Sequence, residues 1–180
     1  MEKSELRKEV KKILSRIPSK EEKDRKIGNS LLNFLPFGCK LISYRNDSLE
    51  VSTEFLNSER PDLKIFYPKI LSVESGSMEF LYPEDWKLGK YQIPEPIGTE
   101  RIQPEEADRV LIPALGFNSR GFRLGRGAGF YDRSFSGIDA KKLIGLTYSE
   151  VFPLIFKETI FDISVGQILT PEGVFFMRIE

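Results

Sequence analysis

Histidine is absent from this chain, and cysteine occurs once, as Cys39. Without histidine there is no histidine-based triad, no histidine zinc site and no ordinary general base near neutral pH. A single cysteine excludes an intrachain disulfide and any multi-cysteine metal centre, which fits a reducing cytoplasm, the expected location. Long apolar runs are also missing: none approaches the roughly 18–20 residues of a membrane helix. The opening stretch, MEKSELRKEVKK, is charged and lacks an apolar signal core. Nor is there an excess of one charge, since 27 basic residues match 27 acidic ones. No overall field therefore draws the chain to nucleic acid or an anionic membrane, and any anion site must be built locally. What remains for chemistry is carboxylates, tyrosines, lysines, arginines, backbone amides or a hard metal.

The residues present describe an ordinary globular protein, 40% apolar and 30% charged over 180 residues. That length suits one domain spanning residues 1–180 with a substantial core. Helical spacing of Leu6, Val10, Ile13, Leu14 and Ile17 predicts a helix over 3–17, ended by Pro18. Ser19 followed by Glu22 is a capping-box pattern opening a second helix on Ile27, Leu31, Leu32 and Leu35. CKLISYR reads as a strand, followed by a turn at Asn46, Asp47 and Ser48, with Thr53 capping a short helix to Glu59. LKIFYP and MEFLYP read as strands closed by their prolines. Residues 84–106, rich in proline and poor in periodicity, read as a long functional loop. RVLIPALGF is nearly continuous apolar sequence, as expected of a strand buried on both faces, and KLIGLTY, SVGQILT and VFFMRI supply three more strands. Strands alternating with helices predict a three-layer α/β/α domain.

The segment that carries chemistry is GFRLGRGAGFYDR, residues 121–133. Gly125, Gly127 and Gly129 alternate and lead into a helix, so backbone amides and a helix N-terminus can converge on an anion. Arg123 and Arg126 offer forked donors for phosphate oxygens. Asp132, one turn into the helix, can hold a hard cation such as magnesium. Neither a Walker A loop nor a Rossmann fingerprint fits, because position 130 is Phe where the Rossmann pattern requires its third glycine. Alone, the glycines also suit a surface turn, Lys3 and Arg7 a solvated helix face, Glu50 an exposed loop acid and Tyr131 core packing.

The whole string resembles the RLGxGxGYYDR signature of the 5-formyltetrahydrofolate cyclo-ligase family. Further matches are KSELRKEV at the opening helix, YRNDSLEVST ending in Glu-x-x-Thr, FYPKI, IPEP and FDISVGQILTPEGV. The resemblance implies a mostly parallel sheet of the NagB/RpiA/CoA-transferase-like type. It also implies ATP as co-substrate, Mg2+ and a reduced folate as the small molecules handled, by a monomer or weak homodimer. By the same resemblance, nucleotide contacts fall on Lys3, Arg7, Arg123, Leu124, Gly125, Arg126, Gly127, Ala128, Gly129, Phe130 and Tyr131. Folate contacts fall on Glu50 and on the loop from Arg126 through Gly127, Ala128 and Gly129 to Phe130. Asp132 falls on a magnesium ligand, and Arg126, Tyr131 and Asp132 on catalytic positions.

Three departures stand out. The family's second acidic metal ligand aligns with Gly166, while Asp162, four residues earlier, matches another acidic position. An apolar substrate-contact position falls on Arg45, and position 92 is Gln where the family prefers glycine. Gly166 in place of that acid keeps open a diverged homologue that binds folate or nucleotide without turnover, as a sink or regulator. A sugar-phosphate or acyl-transfer enzyme on a similar scaffold is a further alternative, by fold analogy alone.

Overall fold

The computed structural model describes residues 2–178. Helices α1 (Lys3–Leu14) and α2 (Lys20–Phe34) precede strand β1 (Lys40–Ile42) and the one-turn α3 (Leu56–Glu59). Strands β2 (Lys64–Ser72), β3 (Ser77–Leu81), β4 (Asp85–Leu88), β5 (Pro94–Ile97) and β6 (Arg101–Ile102) come after it. Next are β7 (Arg109–Ile112), β8 (Gly116–Phe117), β9 (Arg123–Leu124) and α4 (Phe130–Ser134). Strands β10 (Leu143–Leu146), β11 (Gln167–Thr170) and β12 (Gly173–Phe176) complete the chain.

Eight strands form one sheet in the order β12-β11-β10-β7-β1-β2-β3-β6. The central run from β11 to β2 is parallel, and β12, β3 and β6 join it antiparallel. Alternate residues of each central strand enter opposite cores. Leu41, Ile65, Leu111, Ile144 and Leu169 face one side with Leu6, Val10, Ile27 and Leu31 of the two N-terminal helices. Ile42, Phe66, Val110, Ile112, Leu143 and Ile168 face the other, with Phe135, Ile163 and Val165. The continuous apolar run of β7 thus has the expected cause: both of its faces are buried. The N-terminal helices belong to this core.

Several local expectations differ from the structure. Helix α1 ends at Leu14, where the Ser15 hydroxyl donates to the Lys12 carbonyl at 2.9 Å. The capping box does not form: Ser19 sits at φ 52° without a side-chain cap bond, and Glu22 pairs with Lys26 at 3.0 Å instead. Thr53 does not cap a helix either, because its hydroxyl donates to the Tyr44 carbonyl at 2.8 Å. Strand β2 runs through Pro68 to Ser72, since it has left its β1 partner after Phe66 and pairs onward with β3. A proline is tolerated on such an edge. The proline-rich 84–106 segment is no open loop. It folds as the β4–β5 hairpin, with Trp86 opposite Pro96 and Leu88 opposite Pro94, then β6 and a 3-10 turn at Pro104–Glu106. At the hairpin's tip Gln92 adopts φ 59°, the left-handed conformation that favours glycine.

β1 lies between β2 and β7, so the chain progresses outward in both directions from this point. At such a switch point the loops leaving the strand C-termini diverge and open a crevice, the usual ligand position in open α/β sheets.

Candidate active site

The crevice is lined by the segments that leave the C-terminal ends of the central strands. Tyr44 and Arg45 lie just beyond β1, Pro113 and Ala114 just beyond β7, and Pro68 and Ile70 belong to the far half of β2. Tyr91, Ile93 and Glu95 of the hairpin also line it, and the cavity measures about 470 Å³. Glu50 is the buried acid of this cavity, 9% exposed. Its loop is knitted in place: Tyr44 Oη donates to the Val51 carbonyl at 2.9 Å, and the Asp47 amide donates to Glu50 Oε2 at 3.2 Å. Behind it, Tyr148 Oη contacts the Glu50 carbonyl at 3.3 Å and donates to Asp24 at 2.5 Å. Burial, reinforced by the Asp47 charge, raises the Glu50 pKa, and the Arg126 guanidinium offsets only part of that rise. Arg126 reaches across from the glycine loop, with Nε 3.5 Å from Glu50 and Nη2 paired to Asp47.

The glycine loop is the wall between this cavity and a second, of about 630 Å³. Gly127 at φ 113° and Gly129 at φ 73° give the loop a backbone path that side-chain-bearing residues rarely adopt. Gly127 faces the second cavity, whereas Arg126, Ala128, Phe130 and Tyr131 face the first, and Gly125 and Gly129 border both. Arg7 of α1 enters the second cavity and pins the loop through Nε to the Gly125 carbonyl at 2.8 Å. Asp132, Arg133 and Asp162 share that cavity.

Arg123 borders both cavities and is 6% exposed. Its Nε and Nη1 make no hydrogen bond among the described residues, and Asp132 stands 3.8 Å from Nη1. The guanidinium lies over the Tyr131 ring, 5.3 Å from its centroid. Burial lowers the Arg123 pKa and Asp132 works against that shift. A buried guanidinium with unmade bonds carries a large desolvation cost, which an anion arriving in the cavity would relieve.

The residues expected to form a site thus converge, with refinements. Lys3 reaches the second cavity through Asp162, to which it is ion-paired, while its ammonium lies 5.3 Å from the Phe156 ring centroid. Leu124 has its side chain in the core, fully buried, so only its backbone is near the loop. Tyr131 is both core and site, because it stacks on Phe135 at 5.9 Å and also lines the first cavity. Burial raises its phenol pKa, and the nearby Glu50 charge adds to the rise.

Gly166 lines neither cavity. It immediately precedes β11, its amide shared by the Ala140 carbonyl at 2.7 Å and the Leu143 carbonyl at 3.1 Å. A Cβ there would meet the Ala140 oxygen at 2.6 Å. Asp162 is the acid that shares a cavity with Asp132. Burial pushes its pKa up, but bonds from Lys3 and Thr159 outweigh this and hold it below the usual range.

Sequence reasoning missed Asp47, Arg133 and the Ile160–Phe161 pair. Asp47 carried a signal only as a turn former, and the others none before the chain was folded.

A mostly parallel α/β sheet with an acid-bearing cavity and an arginine-lined one across a shared glycine loop defines an α/β enzyme site built to bring two ligands together. The chain belongs to the 5-formyltetrahydrofolate cyclo-ligase family, whose sequence model matches residues 54–171. A 5-formyltetrahydrofolate cyclo-ligase from Mycoplasma pneumoniae is 30% identical over 158 residues, covering 83% of this chain and 87% of the relative. The solved structure of an Aquifex aeolicus 5,10-methenyltetrahydrofolate synthetase superposes with a TM-score of 0.85 at 27% identity, covering 100% of this chain and 95% of that one. A 5,10-methenyltetrahydrofolate synthetase structure from Mycoplasma pneumoniae gives 0.75 at 28% identity, covering 95% and 99%.

Proposed function

We propose that this chain cyclises 5-formyltetrahydrofolate to 5,10-methenyltetrahydrofolate, consuming ATP and releasing ADP and phosphate. We read residues 1–180 as one domain of the NagB/RpiA/CoA-transferase-like type, acting as a monomer or weak homodimer on small molecules, in the cytoplasm, with neither nucleic acid nor membrane as partner. Among the described residues no helix is long and apolar enough to cross a membrane.

The observation that carries the reading is the position of Arg123, buried between two ligand-sized cavities with Nε and Nη1 lacking hydrogen-bond partners. The first cavity takes the reduced folate, with Glu50 accepting hydrogen bonds from the pterin amino group and ring nitrogen. The second takes the triphosphate between Arg7, Arg123 and the loop amides. The formyl oxygen attacks the γ-phosphorus as the bond to the ADP oxygen breaks. N10 then adds to the activated formyl carbon, phosphate leaves with the former formyl oxygen, and N10 loses its proton to solvent. The nucleophile is an electron-rich amide oxygen, so no strong base is required and the lack of histidine is no handicap. Catalysis comes from alignment across the loop and from charge stabilisation by Arg126 and Arg123. For this step Arg126 must leave Asp47 and Glu50.

Asp132 and Asp162 fit a magnesium site. Two carboxylates match the protein share usual for this ion beside nucleotide phosphates. No group of three or more acids, cysteines or histidines suited to a metal occurs among the described residues, so phosphate oxygens and water would complete the shell. Held there with the nucleotide, Mg2+ would neutralise charge on the transferring phosphoryl group.

Purified protein should generate methenyl-folate absorbance only when ATP and a divalent metal are both present. Binding of both ligands without turnover would instead identify the non-catalytic homologue.

A further inference from the structure

The arginine-lined cavity has one wall that phosphate chemistry does not explain. Ile160 and Phe161 line it, yet they are 93% and 77% exposed. Adjacent large apolar side chains left in water are a cost that a partner removes by covering them. They precede Asp162, which anchors the segment through Lys3 and through the Thr159 amide and hydroxyl, so this wall is fixed relative to the cationic floor. The same cavity therefore pairs guanidinium groups and loop amides with an aromatic face, the chemistry that recognises a polyphosphate bearing a planar base.

We propose that Phe161, supported by Ile160, is the platform on which the base of the nucleotide co-substrate stacks. The inference rests on the assignment of this cavity to ATP and extends it to the residues that recognise the nucleoside end. Stacking is tolerant of base identity, so this wall contributes affinity for a nucleoside triphosphate over bare polyphosphate.

Phe161 is largely exposed, so replacing it leaves the packed core untouched. Binding of ATP and of inorganic tripolyphosphate, each measured calorimetrically with magnesium, separates the base from the phosphates. Wild-type protein should bind ATP the more tightly, and Phe161→Ala should weaken ATP binding about ten-fold while leaving tripolyphosphate unchanged. Phe161→Tyr should retain wild-type affinity for ATP. Unchanged ATP affinity in Phe161→Ala would overturn the inference and leave the nucleotide assignment standing. So would equal losses for both ligands, because the segment would then be shaping the phosphate cradle. Wild-type protein that binds neither ligand would overturn the assignment of the cavity itself.

Discussion

The two cavities on either side of the glycine loop differ in how they are made ready. The first cavity, which we assign to folate, is walled by strand ends and the β4–β5 hairpin, and its one buried acid, Glu50, is held above its ordinary pKa by burial. The second cavity, which we assign to the triphosphate, is assembled from α1, the loop, α4 and the 160–162 segment. Its buried Arg123 has Nε and Nη1 without a hydrogen bond among the described residues, with Asp132 3.8 Å from Nη1. One side stores an acid that burial disfavours in its charged form, and the other a cation whose bonds are unmade. Each lacks what its proposed ligand brings: ring N–H donors for Glu50, phosphate oxygens for Arg123. Arg126 projects from the shared loop into the first cavity, where it pairs with Asp47 and Glu50. The difference teaches that each side has its own unmet polar group, and that the loop bordering both is where a substitution should hurt both.

The sharpest break in this comparison is Arg126→Ala. The side chain is exposed enough to remove without disturbing the core, and turnover should fall by roughly 10³-fold, as when a phosphoryl-stabilising arginine is lost. Near-normal turnover with an unchanged melting temperature would refute the role. Asp132→Asn comes next, with an expected loss of about 100-fold in kcat, the scale of one transition-state stabiliser. Its deficit should shrink as magnesium is raised, and a deficit indifferent to magnesium would move the metal elsewhere.

Glu50→Gln tests the folate side alone. The KM for folate should rise by roughly 10- to 100-fold, the scale of charge-assisted hydrogen bonds, with the KM for ATP unmoved. The same variant carries a pH signature. Because folding raises the Glu50 pKa, the native state holds the proton more tightly than the unfolded chain, and this carboxyl's contribution to stability falls as pH rises through that window. Glu50→Gln should therefore melt above wild type near pH 7 and lose that advantage below about pH 4, the ordinary glutamate range. An advantage that persists in acid would mean that burial of the charge is not its source. The smallest effect belongs to Arg7→Ala, which should raise the KM for ATP about ten-fold by removing one charged phosphate contact, with little change for folate. Equal rises in both constants would show that Arg7 acts by shaping the loop through Gly125. Deleting the N-terminal residues would be a poorer probe, since Leu6 packs in the core.

How much of the molecule is legible in its sequence depends on the range of the interactions. The glycine loop is legible because its cause is local: alternating glycines, forked cations and a helix start lie within residues 121–133. The double burial of β7 is legible from its unbroken apolar run. The hairpin at 85–97 is hidden because its prolines argue against a ladder, although both lie in an edge pair where missing N–H groups are tolerated. The place of Asp162 in the second cavity is hidden for a different reason. Gly166 and Asp162 are four residues apart, and only the fold packs Gly166 against Ala140 while tying Asp162 to Lys3 beside the second cavity. Nothing in the sequence marks Ile160 and Phe161 as surface, since apolar residues are expected inside.

The central claim is that the two substrates meet across the loop and exchange an atom there. Turnover of 5-formyltetrahydrofolate carrying 18O in its formyl group, with mass analysis of the released phosphate, tests this directly. The account predicts that the label leaves in inorganic phosphate in step with methenyl-folate formation. Methenyl-folate formed with unlabelled phosphate would contradict it, because the formyl oxygen would then never have been bonded to phosphorus.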